Sequence, residues 1–226
     1  MLAQNLASIK SRLTTAAAKG KRDARGIKLV CVTKNEPIDR IWEAIGLGIT
    51  DIGENRVQEA AEKHKSIGGK AIWHLIGHLQ TNKARDAVRI FSLIQSVDSA
   101  KLAREIDSQA RKTGKVQDIL VEVNISGEAQ KYGVAPDMVP DFVKETALYP
   151  NIHIKGLMGM APLVSGQEGA RPYFRRLKDI FDRLVSENID NIAMEYLSMG
   201  MSQDFEAAIE EGANMVRIGS AIFQPD

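Results

Sequence analysis

Hydrophobic residues along the chain fall into short runs separated by stretches with helical periodicity. Eight runs, each four to seven residues long, are rich in aliphatic and β-branched side chains, as is typical of buried strands. They cover residues 27–33, 49–52, 71–76, 93–97, 117–123, 152–157, 192–197 and 214–218. The pattern therefore predicts eight strands.

Between these runs, apolar residues recur at the spacing of amphipathic helices. The clearest helical segments are 38–45, 57–64, 100–112, 138–147, 173–185 and 205–211. Strands that alternate with helices are parallel and joined by right-handed crossovers, and eight such units close into a barrel. We predict an α/β fold, a single parallel (β/α)8 TIM barrel that spans 1–226 as one domain. A doubly wound open sheet is the alternative.

The first twenty residues predict an additional helix before the barrel. Leu2, Leu6, Ile9 and Leu13 follow one another at steps of four and three, which places them on one face of a helix. The same segment carries basic residues and no acidic residue before Asp23, a composition also found in organelle transit peptides. We favour a helix packed against the domain.

Composition excludes several classes of partner. The 226 residues include 30 basic and 29 acidic side chains, so no overall field favours nucleic acid or an anionic membrane. No apolar run approaches the roughly 18 residues of a membrane span. Cys31 is the single cysteine, which leaves no intramolecular disulfide and favours a reducing compartment. We expect a cytoplasmic protein that holds any bound anion through local contacts.

Lys34 directly follows the first apolar run. Because side chains alternate along a strand, Lys34 shares a face with Val30 and Val32, whereas Cys31 lies on the other face. If the first face points into the barrel, the lysine amine lies at the carboxyl end of the strands, where barrels place their active sites. An amine there could attack an aldehyde and form a Schiff base. The alternative is a lysine that extends into water, and Cys31 is predicted to be a packing thiol.

Two segments near the end of the chain predict a phosphate site. After the seventh run, Gly200 would let backbone approach a ligand closely and Ser202 would cap the next helix. After the eighth run come Arg217, Gly219 and Ser220, a permanent cation, a glycine and a hydroxyl. The loops after strands seven and eight are the frequent phosphate site of barrels. Ordinary turn chemistry and a surface ion pair of Arg217 are the alternatives.

Two further groups of polar residues have less specific interpretations. Asn55 ends the second run and could bind a ligand or cap the following helix. His74 and His78 have a spacing that would suit a metal on a helix, but here they span a strand and a turn. Without a third ligand, we predict no metal site.

Seven ordered blocks give the chain a resemblance to a known family. They are 32–34 (VTK), 53–59 (GENRVQE), 73–80 (WHLIGHLQ), 121–124 (VEVN), 156–158 (GLM), 197–202 (LSMGMS) and 216–223 (VRIGSAIF). Over nearly its whole length the chain resembles the YggS/PROSC-like pyridoxal phosphate homeostasis proteins. The resemblance implies an alanine-racemase-like barrel (fold type III) that binds pyridoxal 5'-phosphate (PLP).

The resemblance also implies roles for single residues. The cofactor-binding residues that it implies are Lys34, Asn55, Ser198, Gly200, Arg217, Gly219 and Ser220. Lys34 resembles the lysine that links PLP, and Arg217 the arginine that faces the pyridine ring. Arginine is a poor proton donor, so the ring nitrogen should stay unprotonated and the cofactor should be a weak electron sink. The family often has Thr-Lys-Pro after the lysine, whereas Asn35 and Glu36 precede the proline here.

These observations favour a carrier over a catalyst. Related racemases add a β domain that supplies an acid or base opposite the lysine, and this sequence stops at the barrel. A two-base racemase needs a proton donor on each face of the substrate, and Lys34 can serve only one. We expect a monomeric, non-catalytic carrier whose partners are PLP and, as candidates, PLP-dependent apoenzymes. A weak fold type III amino-acid racemase is the alternative, and a Schiff-base aldolase acting on a sugar phosphate is a third.

Overall fold

The strands close into a barrel. The computed structural model describes residues 1–128, 130–162, 166–187 and 189–224, so the predicted domain 1–226 includes positions outside this part. Within the described residues, eight strands occur: β1 (Lys28–Val32), β2 (Asp51–Glu54), β3 (Ile72–Leu75), β4 (Leu93–Val97), β5 (Gln117–Val123), β6 (Ile152–Gly159), β7 (Ile192–Ser198) and β8 (Met215–Ile218). Each pairs in parallel with the next, and β8 pairs with β1. The TIM-barrel prediction is confirmed, and the open-sheet alternative is wrong.

Helices lie between the strands and cover the barrel. They are α1 (Leu2–Lys19), α2 (Ile38–Gly46), α3 (Val57–Ile67), α4 (Ala84–Ile90), α5 (Ala100–Lys112), α6 (Val139–Thr146), α7 (Gly166–Glu187), α8 (Phe205–Glu210) and α9 (Ser220–Phe223). Short 3-10 turns occur at Ala24–Gly26, Gly68–Lys70, Thr81–Lys83 and Pro136–Met138. All six predicted helical segments are present.

Three helices, α4, α7 and α9, depart from the predicted pattern. The apolar pattern does not predict α4 or α9, whose seven and four residues span too few turns for an apolar stripe to stand out. The predicted start of α7 at 173 follows Pro172, a residue that commonly ends or begins a helix. The structure keeps Pro172 inside α7 and starts the helix at Gly166.

The first helix packs on the barrel, as predicted. Leu2, Leu6, Ile9 and Leu13 are all buried. On an adjoining face, Arg12 donates from Nε to Oε1 of Glu206 in α8 at 2.7 Å. The packed-helix interpretation is confirmed. No helix of the described part of the chain is both long enough and apolar enough to cross a membrane.

Val30 and Cys31 of β1 lie on opposite sides of the strand, as the alternation of side chains predicts. Val30 lies inside the barrel in a cluster with Leu93, Leu120, Met158 and Met215. Cys31 belongs to the larger core between strands and helices and is fully buried. Burial, with the nearby charge of Glu36, raises the pKa of the Cys31 thiol to about 12. Cys31 is therefore a packing residue, as predicted.

Candidate functional site

A cavity of about 490 Å³ opens at the carboxyl ends of the strands, and we call it the Lys34 cavity. Its lining includes Lys34 after β1, Ser202 after β7, and Arg217, Gly219 and Ser220 of β8 and the residues that follow. The β1/β8 ladder pairs Val30 with Arg217, which brings the two ends of the chain to the same edge. The loops after strands seven and eight thus meet where the sequence predicted.

The backbone on both sides of Lys34 is held by side chains of α3. Nζ of Lys63 donates to the carbonyl oxygen of Thr33 at 2.6 Å. The N–H of Asn35 donates to Oε1 of Glu59 at 2.6 Å. Asn35 has a φ of 61°, a left-handed conformation that asparagine tolerates better than most residues. The turn directs Lys34 to the cavity while its side chain stays exposed.

A buried ion pair between Glu54 and Lys63 holds this turn in place. Glu54 at the end of β2 is fully buried, and its Oε1 accepts from Lys63 Nζ at 2.8 Å and from Thr33 Oγ1 at 2.6 Å. Burial raises the pKa of Glu54, although both hydrogen bonds act in the opposite direction. Sequence reasoning missed this pair, because nothing in the spacing of Glu54 and Lys63 distinguishes it from surface charge.

Arg217 extends inside the barrel and is 3% exposed. Its Nη1 donates to Ser198 Oγ at 2.6 Å and its Nη2 to the carbonyl of Gly159 at 3.0 Å. Burial lowers the pKa of Arg217 to about 10, and the charges of Glu122 and Asp204 oppose that shift. The guanidinium therefore remains a cation at neutral pH. Its other N–H groups have no acceptor among the described residues.

Glu122 in β5 is a second buried charge at this end of the barrel, and sequence reasoning assigned it no role. It is 4% exposed. Burial raises its pKa to about 7, the charge of Asp98 raises it further, and Arg217 acts to lower it. The sequence does contain a signal for an inward carboxylate. Glu122 lies within the apolar run 117–123, and because side chains alternate along a strand, it lies on the face opposite to Val121 and Val123.

Ser198 and Gly200 do not line the Lys34 cavity. Ser198 is fully buried and directs its hydroxyl to Gln95 and Arg217. Gly200 has a φ of 92°, and a Cβ there would lie 2.6 Å from Cβ of Ala208 in α8. The structure thus assigns Gly200 a packing role, and its contact with a ligand stays a prediction.

Ser202 lines the cavity but does not cap α8. The helix begins at Phe205 with Asp204 at the N-cap, so the capping prediction is wrong. A turn precedes the helix, and in it Oδ1 of Asp204 accepts from the N–H of Met201 at 2.6 Å. Ser202 Oγ instead accepts from the N–H of Ala221 at 3.4 Å, which links the two loops.

Asn55 lies in a different cavity, of about 680 Å³, together with Arg56, His78 and Lys83. The structure does not bring Asn55 into the lining of the Lys34 cavity. Its alternative role as a cap is not observed either, since Arg56 is the N-cap residue of α3. The part of Asn55 in binding a ligand stays a prediction.

The two histidines of 73–80 diverge. His74 points into the barrel, with Nε2 2.9 Å from Oδ1 of Asp51. His78 lies at the mouth and stacks on Tyr132 with ring centroids 3.6 Å apart. Within the described ranges, no group of three His, Cys, Asp or Glu side chains could hold a metal ion.

Comparisons with known proteins agree with the barrel and with the resemblance. The family model "Alanine racemase, N-terminal domain" matches residues 1–225. The pyridoxal phosphate homeostasis protein of Aquifex aeolicus is 41% identical over 97% of this chain and 96% of its own. PipY of Synechococcus elongatus, solved with PLP bound, has a TM-score of 0.86 and 32% identity, covering 99% of this chain and 100% of that one. A protein from Bifidobacterium adolescentis has a TM-score of 0.94 and 31% identity, covering 98% of this chain and 94% of that one.

Proposed function

Because the chain belongs to the pyridoxal phosphate homeostasis proteins, within the alanine racemase N-terminal domain family, we propose that it carries PLP in the cytoplasm as a Schiff base on Lys34. The observation that carries the proposal is one cavity that holds an exposed lysine amine beside a buried arginine. The free, buried state of Cys31 supports a reducing compartment.

The residues of the Lys34 cavity fit PLP. Its volume of about 490 Å³ lies within the range of small-molecule sites. Arg217 and the hydroxyls of Ser202 and Ser220 offer donors for an anionic ligand. Gly219 allows the backbone after β8 to pack closely on β1, because a Cβ there would lie 3.1 Å from Val32 Cβ. Burying a cation such as Arg217 is costly unless charged or polar partners compensate for the lost water, and a bound anion would be such a partner.

Bound PLP would supply an aldehyde and a pyridine ring. Lys34 would hold it through a C=N bond, which forms as the amine adds to the aldehyde carbon and water leaves. Arg217 would donate a hydrogen bond to the ring without giving up its proton, because it remains charged at neutral pH. Ser202, Gly219 and Ser220 would hold the phosphate.

The side chains around the cavity support carriage over catalysis. Besides Lys34, the titratable residues among its described lining are Asp204 and Arg217. Asp204 is engaged in the turn before α8, and Arg217 is a poor acid. A racemase needs a second proton donor and acceptor opposite the lysine. A carrier needs only attachment and release, and the exposed position of Lys34 leaves the attachment point reachable from outside.

Borohydride reduction of the PLP-loaded protein, followed by peptide mass spectrometry, tests the attachment. We expect a reduced adduct on the peptide that contains Lys34, and its loss in Lys34→Ala. Lys65→Ala is the matched control, because Lys65 is an exposed lysine of α3 that pairs with Glu62. An adduct that persists in Lys34→Ala at another lysine would contradict the assignment.

Proton exchange separates the carrier from the racemase. The loaded protein is incubated with alanine in heavy water, and deuterium at the α-carbon is measured by NMR. We expect no exchange above that of free PLP. Exchange that depends on Lys34 would identify a racemase. A colourless protein that cleaves a sugar phosphate would instead identify an aldolase.

A further inference from the structure

Arg217 is one end of a chain of buried hydrogen bonds that continues into the barrel. Its Nη1 lies 2.6 Å from Ser198 Oγ. Ser198 Oγ lies 2.7 Å from Gln95 Oε1. Gln95 Nε2 lies 3.0 Å from His74 Nδ1. Ser198 and Gln95 are fully buried and His74 is 2% exposed, so water does not compete for these bonds.

The chain of hydrogen bonds that starts at Arg217 ends at the opposite mouth of the barrel. His74 Nε2 lies 2.9 Å from Asp51 Oδ1, which also accepts from Lys28 Nζ at 2.9 Å. Lys28 and Asp51 are the first residues of β1 and β2, whereas Ser198 is the last residue of β7. Because all the strands are parallel, the chain crosses the barrel from its carboxyl end to its amino end.

Only one direction of donation satisfies every member. Arginine can only donate, so the Ser198 oxygen accepts from Arg217 and its own hydrogen goes to Gln95 Oε1. The Gln95 amide then turns its N–H groups to His74 Nδ1 and to Met215 Sδ, the latter at 3.2 Å. His74 Nδ1 is therefore an acceptor, and the ring proton lies on Nε2, where it is donated to Asp51.

A second proton on His74 would break this order. Nδ1–H would then face an N–H of Gln95, and the amide would have to turn over. Ser198 would receive two donors and lose the acceptor of its own hydrogen. Burial lowers the pKa of His74, against the effect of Asp51, and so favours the neutral ring that the chain requires.

We propose that Gln95 and His74 are positioning residues for Arg217. All hydrogen bonds of the series donate in one direction, so Ser198 Oγ is held as the acceptor that binds the guanidinium of Arg217. Neither residue is among the described lining of the Lys34 cavity. They act through Arg217, and this effect on the ligand rests on the proposed function. The existence of the hydrogen-bond chain can be tested in the protein without cofactor.

Long-range ¹H–¹⁵N NMR of the histidine rings, recorded without PLP at pH 7, tests the direction of the chain. The four histidines are assigned by single substitutions to Gln. We expect a neutral His74 with its proton on Nε2. A wild-type His74 that is charged or protonated at Nδ1 would overturn the proposal.

A double-mutant cycle on PLP retention tests the effect on Arg217. Gln95→Met keeps the size of the side chain and removes both hydrogen-bonding groups, and we expect about tenfold weaker retention. Gln117→Met is the matched control, since Gln117 is equally buried but donates to Ser92 and Asp118. It should change retention by less than about twofold.

In Arg217→Gln/Gln95→Met, we expect no loss beyond that of Arg217→Gln alone. If the losses of PLP retention in the two single variants multiply in the double variant, Gln95 affects retention independently of Arg217. That result would overturn the positioning role. If the wild-type protein does not retain PLP at all, the proposed function fails, and the NMR experiment still decides whether the chain exists.

Discussion

Val30 and Arg217 face each other across the parallel ladder that joins the first strand to the last. Lys34 follows Val30 by four residues, so closure of the barrel brings the lysine and the arginine to one cavity although 183 residues separate them. The carboxyl ends of parallel strands meet at one mouth, which is why distant segments can build one site.

Arg217→Gln should weaken the retention of PLP. The substitution removes a buried charged donor, a contact worth about 1.5 to 3 kcal/mol, or roughly 10- to 150-fold in Kd. Equilibrium dialysis or absorbance titration measures it. Arg104→Gln, which changes an exposed arginine of α5, serves as the control. Equal affinities of Arg217→Gln and wild type would place Arg217 outside the binding site.

Glu122 should make the stability of the protein depend on pH. Its folded-state pKa of about 7 lies above the ordinary 4.5, so the folded state binds this proton more tightly than the unfolded state. That contribution is complete below about pH 4.5 and is lost as pH rises through about 7. Relative to Glu122→Gln, wild type should lose roughly 3 kcal/mol of unfolding free energy by about pH 8.

Urea unfolding across this pH range measures the Glu122 effect. Glu43→Gln, at an exposed position of α2, should follow the wild-type curve. Parallel curves for wild type and Glu122→Gln would show that Glu122 ionises in the folded protein as it does in water.

Lys63→Met should destabilise the protein by leaving Glu54 buried without its partner. Breaking one side of a buried ion pair costs about 3 to 5 kcal/mol. The double variant Glu54→Gln/Lys63→Met should recover part of this loss, because the uncompensated charge is then absent. Lys65→Met, on the exposed side of α3, should stay within about 0.5 kcal/mol of wild type. Chemical denaturation at pH 7.5 compares the four proteins.

Gly200→Ala should destabilise the packing of α8. A Cβ at Gly200 would lie 2.6 Å from Ala208 Cβ and 2.9 Å from Phe205 Cα, at a φ of 92°. Strain and overpacking of this kind cost about 1 to 3 kcal/mol. Gly46→Ala is the control, because a Cβ there would meet nothing within 4 Å. Thermal unfolding that left Gly200→Ala as stable as wild type would contradict the packing role.

The sequence by itself determined the architecture and the place of Lys34 just after the first strand. Eight apolar runs alternating with helical segments admit few packings, and a side chain two residues beyond Val32 must share its face. The prediction that Val30 and Cys31 lie on opposite faces follows from the same alternation, and the structure confirms it, with Val30 inside the barrel and Cys31 outside.

Only the tertiary structure decided where the polar groups of the loops and of the barrel interior point. Ser198 binds Arg217 and Gln95, Gly200 packs on α8, and Asn55 lies in a separate cavity. Gln95 and Ser198 are 103 residues apart, and nothing local in either strand specifies the partner of a buried amide or hydroxyl. Strand periodicity is a local property of the chain, whereas the acceptor that a buried donor finds depends on which strands closure of the barrel brings together.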